Sequence, residues 1–124
     1  MLDHIGFAVS DFARSKKFYE QALASLGIAI VMEVTPEQTG DYQAAGFGNN
    51  GKPFFWFAKG EVAHMHVAFA ADSRDKVDAF YRAAIAAGAK DNGAPGLRPH
   101  YHANYYGAFV LDPDGHNIEA VCHR

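Results

Sequence analysis

His4-Ile5-Gly6-Phe7-Ala8 returns 62 residues further on as His66-Val67-Ala68-Phe69-Ala70. The same ungapped shift lays Phe18-Tyr19 and Ala22 on Phe80-Tyr81 and Ala84, and makes seven of the 21 pairs between positions 4 and 24 identical. Farther on it sets Phe47 on Phe109 and Ala58 on Ala120. Self-similarity at a fixed offset marks a duplicated supersecondary unit. The chain therefore divides into a module over residues 1–60 and a second over residues 61–124, together one domain of 124 residues.

Each module carries the same order of signals. Ile5, Phe7 and Val9 alternate with small residues, as do Val67 and Phe69, which is the period of a strand. Ser10-Asp11 and Asp72-Ser73 then offer helix caps. Phe12, Ser15, Tyr19, Ala22 and Leu26 follow at helical spacing, as do Val77, Phe80, Ala84 and Ile85, and Gly27 and Gly88 are stop signals. Apolar runs at Ile28–Val34, Gln43–Gly48, Phe54–Ala58, Tyr105–Leu111 and Asn117–Cys122 read as further strands. Asn49-Asn50-Gly51 and Asp112-Pro113-Asp114-Gly115 take equivalent hairpin positions. The expected fold is α+β, with each half β-α-β-β-β. Sixty residues bury too little surface to stand alone, so the halves should pair.

Composition excludes several classes of function. Apolar residues make up 49% and charged residues 20%, with ten Phe and six Tyr, which is enough bulk for a core and rules out disorder. The net charge is −3, and no basic run exceeds Lys16-Lys17, so no nucleic-acid footprint is expected. The apolar stretch from Ala22 to Met32 is too short to span a bilayer, and the N-terminus reads straight into a strand rather than as a signal peptide. The lone Cys122 cannot close an intrachain disulfide, which fits a cytoplasmic location.

In both first strands the bulk lies on one face, while His, Gly and Ala share the other, as on the floor of a cavity. A lone strand His is more often a surface or satisfied core residue than a ligand. His4 and His66, matched across two repeats, are harder to dismiss. Glu119 stands mid-strand in Ile118-Glu119-Ala120-Val121, where a carboxylate needs a partner or an open face. Two His and one carboxylate form a set that leaves coordination positions open for water or substrate. The segment from Arg98 to Tyr106 adds one cation, two His and three Tyr, groups suited to orienting a substrate and moving protons. Tyr105 and Tyr106 face opposite sides of a strand, so at most one lines a cavity. His64 reads as a strand-entry residue, and His116 and His123 as solvated.

Leu2-Asp3-His4-Ile5-Gly6-Phe7 with Phe18-Tyr19, then His66-Val67-Ala68-Phe69, then Phe109-Val110-Leu111-Asp112-Pro113-Asp114-Gly115-His116-Asn117-Ile118-Glu119 resembles the vicinal oxygen chelate superfamily along the whole chain. That superfamily includes glyoxalase I, extradiol ring-cleaving dioxygenases, fosfomycin-resistance enzymes and bleomycin-resistance proteins. The resemblance implies two paired βαβββ modules forming a cupped mixed sheet, one divalent metal ion per chain (Fe, Mn, Ni, Co or Zn), and a homodimer. It implies His4, His66 and Glu119 as the metal ligands.

Two departures limit what carries over. Glyoxalase I has a fourth ligand, a Glu on the last strand of the first module. Counting 62 back from Glu119 reaches Phe57, and a slip of one residue reaches Trp56 or Ala58; none binds a metal. The expected site is three-liganded, with the Phe57 ring in the cup; the alternative register buries Phe57 and turns Trp56 to the cup. Extradiol enzymes have a His and a Tyr ahead of the ligand Glu. His102 fits the His, Phe109 replaces the Tyr, and Tyr105 or Tyr106 is the candidate substitute.

The expectation is a metal-dependent small-molecule enzyme in which the metal, as a Lewis acid, holds vicinal oxygens of a small substrate and stabilises an oxyanion or enolate. Glu119, His102 and Tyr106 are the expected catalytic groups, and Arg98, Tyr105 and Phe57 are expected to contact substrate. The alternative is a metal-free protein of the bleomycin-resistance kind that sequesters an apolar or aromatic ligand. A purely structural or partner-binding domain is a third class, but the chain has no charged face or amphipathic tail to suggest it.

Overall fold

The computed structural model describes residues 1–40 and 42–124. The order of elements is β1 (Ile5–Val9), α1 (Phe12–Ala24), β2 (Ala29–Val34), a one-turn α2 (Pro36–Thr39), β3 (Ala44–Asn49) and β4 (Lys52–Lys59), then β5 (His66–Ala70), α3 (Arg74–Ala86), β6 (Lys90–Leu97), β7 (Tyr106–Leu111) and β8 (Asn117–Cys122). The strands form two four-stranded mixed sheets, ordered β1-β4-β3-β2 and β5-β8-β7-β6. In each, the first strand runs parallel to the last. The α+β fold is as expected, and the two sheets are not closed onto one another.

The caps fall where the sequence put them. Asp11 accepts from the amide of Arg14 at 3.0 Å and Ser73 from that of Lys76 at 3.3 Å, so each starts its helix on a side-chain oxygen. Gly27 and Gly88 follow the helix ends with φ of 73° and 106°, a conformation that other residues rarely adopt. α1 buries Phe12, Phe18, Tyr19, Ala22 and Leu23, and α3 buries Val77, Phe80 and Ala84.

One apolar cluster joins the two halves. Phe55 meets Phe69 edge-on at 5.1 Å, and the fully buried Tyr19 donates its phenol to Asp112 of the β7–β8 turn at 2.5 Å. Burial, and then the Asp112 charge, hold that phenol well above its usual range. His116 is also fully buried, which corrects the expectation of a solvated turn residue. Its ring stacks on Phe7 at 3.9 Å, its Nε2 donates to the Ala8 carbonyl at 2.9 Å, and its Nδ1 accepts from the Met65 amide at 3.0 Å. At the same seam Ser10 donates from both its hydroxyl and its amide to Asp114. The turn that reads as a solvated hairpin is thus bonded to the end of β1.

Two elements escaped the sequence reading. β6, Lys-Asp-Asn-Gly-Ala-Pro-Gly-Leu, has neither apolar alternation nor β-branched residues, and its pairing with β7 shifts register twice. α2 is a single turn held by a reciprocal cap between Thr35 and Gln38.

Candidate metal centre

The strand register decides which side chains reach the open face of each sheet. In the second sheet Val67, Phe69, Ile118 and Ala120 are buried against the apolar core. The alternate residues His66, Ala68, Phe109 and Glu119 share the opposite face, because Glu119 sits across from both Ala68 and Phe109. A recess of about 570 Å³ lies there, bordered by His66, Tyr101, His102, Tyr105, Phe109 and Glu119.

Glu119 is 1% exposed, so its carboxylate depends on the groups around it. Tyr105 donates its phenol to Oε2. Burial, and then the Glu119 hydrogen bond, push Tyr105 up to about 12, so it remains a donor at neutral pH. The other oxygen, Oε1, faces His66 Nε2 at 3.2 Å. The opposite nitrogen of that ring, Nδ1, is 3.2 Å from the Asn117 carbonyl, which can only accept, so Nδ1 carries the ring proton. In the neutral ring Nε2 is then a lone pair aimed at a carboxylate oxygen. Two acceptors at this distance need a cation between them, either a proton or a metal ion. Metal–ligand bonds of about 2.1 Å at ordinary coordination angles put neighbouring donors roughly 3.0–3.4 Å apart, and the pair matches that. The backbone carbonyl that orients His66 is a common support for a metal-binding imidazole.

The third expected ligand is elsewhere. His4 is well exposed just ahead of β1, with Nδ1 2.8 Å from Asp3, and Asp3 also pairs with Lys52 at 2.7 Å. A second recess, of about 340 Å³ between β1 and β5, has His4 and His66 on its wall but not Glu119. Among the described residues no three of His, Cys, Asp and Glu come close enough to hold a metal ion. A single chain thus assembles His66 and Glu119 without His4.

Phe57 is corrected outright. It pairs with Phe7, faces the core and is 1% exposed, against Phe12, Tyr19 and Phe47 at ring distances of 5.3–5.7 Å. Trp56 turns to the open face instead. It pairs with Gly6 as Glu119 pairs with Ala68, so the repeat offset, 62 over β1 and α1, becomes 63 over the last hairpin. The indole lies over Gly46, where a Cβ would come within 2.7–2.8 Å of its ring atoms. The expected vacancy for a fourth carboxylate is therefore filled by Trp56.

Tyr106 is also on the other side. Its hydroxyl donates to Asp78 of α3 at 2.6 Å, and Arg74 lies over its ring at 5.2 Å. It cannot move protons in the recess. Arg98 folds back on its own strand, donating to the carbonyls of Gly96 and Ala94 at 2.9 and 2.8 Å and lying over Phe109 at 5.5 Å. Its guanidinium is committed to the β6 bulge rather than to an incoming anion.

His102 does border the recess. The Asn104 amide donates to its Nδ1 at 3.1 Å, so Nε2 carries the proton and donates to His123 Nδ1 at 2.5 Å. His123 was expected in solvent and is missed by sequence, since nothing near the chain end signals a partner 21 residues away. Among the described residues no helix is long and apolar enough to cross a membrane.

This arrangement has relatives. A family model described as Glyoxalase/Bleomycin resistance protein/Dioxygenase superfamily matches residues 1–120. A solved glyoxalase/bleomycin resistance protein from Albidiferax ferrireducens T118 is 29% identical at a TM-score of 0.79, covering 100% of this chain and 99% of that one. A glyoxalase I mutant from Zea mays is 26% identical at 0.70, over 97% of this chain and 46% of that one. A family enzyme from Burkholderia phytofirmans PsJN, 21% identical at 0.70 over 98% of both chains, shares the fold. No curated protein matches the chain.

Proposed function

Since this chain belongs to the Glyoxalase/Bleomycin resistance protein/Dioxygenase superfamily, we propose that it is a metal-dependent enzyme acting on a small molecule with adjacent oxygens. The observation that carries this is the facing pair of acceptors, His66 Nε2 and Glu119 Oε1, 3.2 Å apart. A buried carboxylate opposite an imidazole lone pair is an unfavourable arrangement unless a cation joins them. A divalent ion in that place joins them and leaves further coordination positions open for a substrate's oxygens.

His66 and Glu119 supply two ligands, and His4 of a second copy supplies the third, which makes the working unit a homodimer with two sites. The single chain favours this reading. The recess that His4 shares with His66 does not reach Glu119, and the one that Glu119 shares with His66 does not reach His4. When bound, a divalent ion supplies Lewis acidity for the substrate's adjacent oxygens. The chain's own residues do the rest. Glu119, already hydrogen-bonded, is the nearest base, and His102 with His123 forms a defined donor–acceptor pair at the rim of the recess. Phe109 and Tyr101 add ring faces to the wall of the recess, against which the apolar part of a small substrate can lie.

Elemental analysis of untagged protein tests the proposal. The expected result is one divalent ion per chain in the wild type and next to none in Glu119→Ala. No ion in the purified protein, and no uptake of Fe, Mn, Ni, Co or Zn by stripped protein, would contradict it.

A further inference from the structure

Tyr105 reaches Glu119 by an unusual route. It precedes β7, yet its phenol lies across the sheet against an oxygen of β8, 14 residues on. Gly107 makes that crossing possible. A Cβ there would stand 3.2 Å from the Tyr105 ring and 3.3 Å from Glu119 Oε2, tighter than side chains normally pack. Gly107 has no positive φ that would demand glycine, so the missing side chain serves the space rather than the backbone. The Tyr105 backbone is fixed at both ends, by Arg98 to its carbonyl at 2.7 Å and by its own amide to His102 at 3.2 Å. Its ring is fenced by Tyr101 and His123 at 4.8 and 5.3 Å.

We propose that Tyr105 is the positioning residue of the metal centre: by holding Glu119 Oε2 across Gly107, it leaves Oε1 alone to face His66 and makes the carboxylate a one-oxygen ligand. A free carboxylate can swing so that both oxygens bind, or turn toward solvent; one held on its far oxygen by a phenol cannot. Groups that orient a ligand in this way typically contribute 10–100-fold to metal affinity. The inference rests on the metal reading above, and its test separates the two.

The test is titration of the metal-stripped protein with Co²⁺ against a competing chelator, recording the visible spectrum. Tyr105→Phe removes one oxygen and should weaken Co²⁺ binding 10–100-fold. Its d–d bands should shift, because Glu119 is then free to change how many oxygens it offers. Gly107→Ala leaves the phenol in place but crowds it, and should weaken binding in the same direction with a similar spectral shift. A purely structural role for Tyr105 would lower thermal stability and leave the spectrum of the bound ion unchanged. Wild-type affinity and spectrum in Tyr105→Phe, with Glu119→Ala still abolishing binding, would overturn the proposal and leave the metal reading standing. Wild-type affinity in Glu119→Ala would overturn both.

Discussion

Trp56 and Glu119 occupy the same position in the two sheets, each opposite a small residue of the parallel first strand, Gly6 for one and Ala68 for the other. The duplicated module has thus kept a carboxylate in one copy and an indole in the other. Trp56→Glu would restore the symmetry. It places a carboxylate on a half-exposed face where folding tolerates it, and metal affinity should rise tenfold or more as a fourth ligand is added. Phe57→Glu, one residue on, buries an unpaired carboxylate among Phe12, Tyr19 and Phe47 and should cost several kcal/mol. Circular dichroism and metal titration of the two variants separate them. A folded Phe57→Glu with tightened binding would reverse the register.

His116 links the end of β1 to the β7–β8 turn through two hydrogen bonds and a stacked ring. His116→Ala leaves the Met65 amide and the Ala8 carbonyl without their partner and opens a void against Phe7. Together these should cost about 3 kcal/mol, read as a fall in the urea midpoint. A loss under about 1 kcal/mol would show that the seam is held by the apolar contacts alone.

Tyr106 gives a pH dependence of stability. The hydrogen bond to Asp78, and then burial, raise its phenol above the usual tyrosine range. The folded protein therefore holds this proton to higher pH than the unfolded chain does. The contribution is full below about pH 10 and is lost as pH rises through the folded value. Denaturant melts in that alkaline window should show the wild type losing stability more steeply than Tyr106→Phe, since the other raised tyrosines are common to both. Parallel losses would contradict the assignment.

Much of this was legible in the sequence because bulky apolar side chains declare a face. Val9, Val67 and Phe69 and the helix positions of Phe12 and Phe80 are buried where their period says, and the half-buried Phe7 packs against the same core. β6 was not legible, because Gly93, Pro95 and Gly96 carry no such period and the strand pairs with β7 only through a bulged ladder. Phe54-Phe55-Trp56-Phe57 was ambiguous for the opposite reason. Four large rings in a row have no polar residue to set their face, and a one-residue change of offset flips every side chain. At the site, the sequence pointed to Glu119 and His66, but the Tyr105 contact depends on the space left by Gly107. The commitment of Arg98 to nearby carbonyls likewise depends on the path of the β6 bulge.

The proposal of a metal centre shared between two copies is tested most directly by mixing two chains that each lack one ligand. His4→Ala and Glu119→Ala should each fail to bind Co²⁺ tightly alone. After subunit exchange about half of the dimers carry one chain of each kind, and each of those regains one whole site, from His4 of the Glu119→Ala chain with His66 and Glu119 of the His4→Ala chain. The expected reading is about 0.25 tightly bound ions per chain in the mixture. A mixture that exchanges subunits and stays metal-free, or a His4→Ala chain that alone binds as the wild type does, would contradict a site built from two copies.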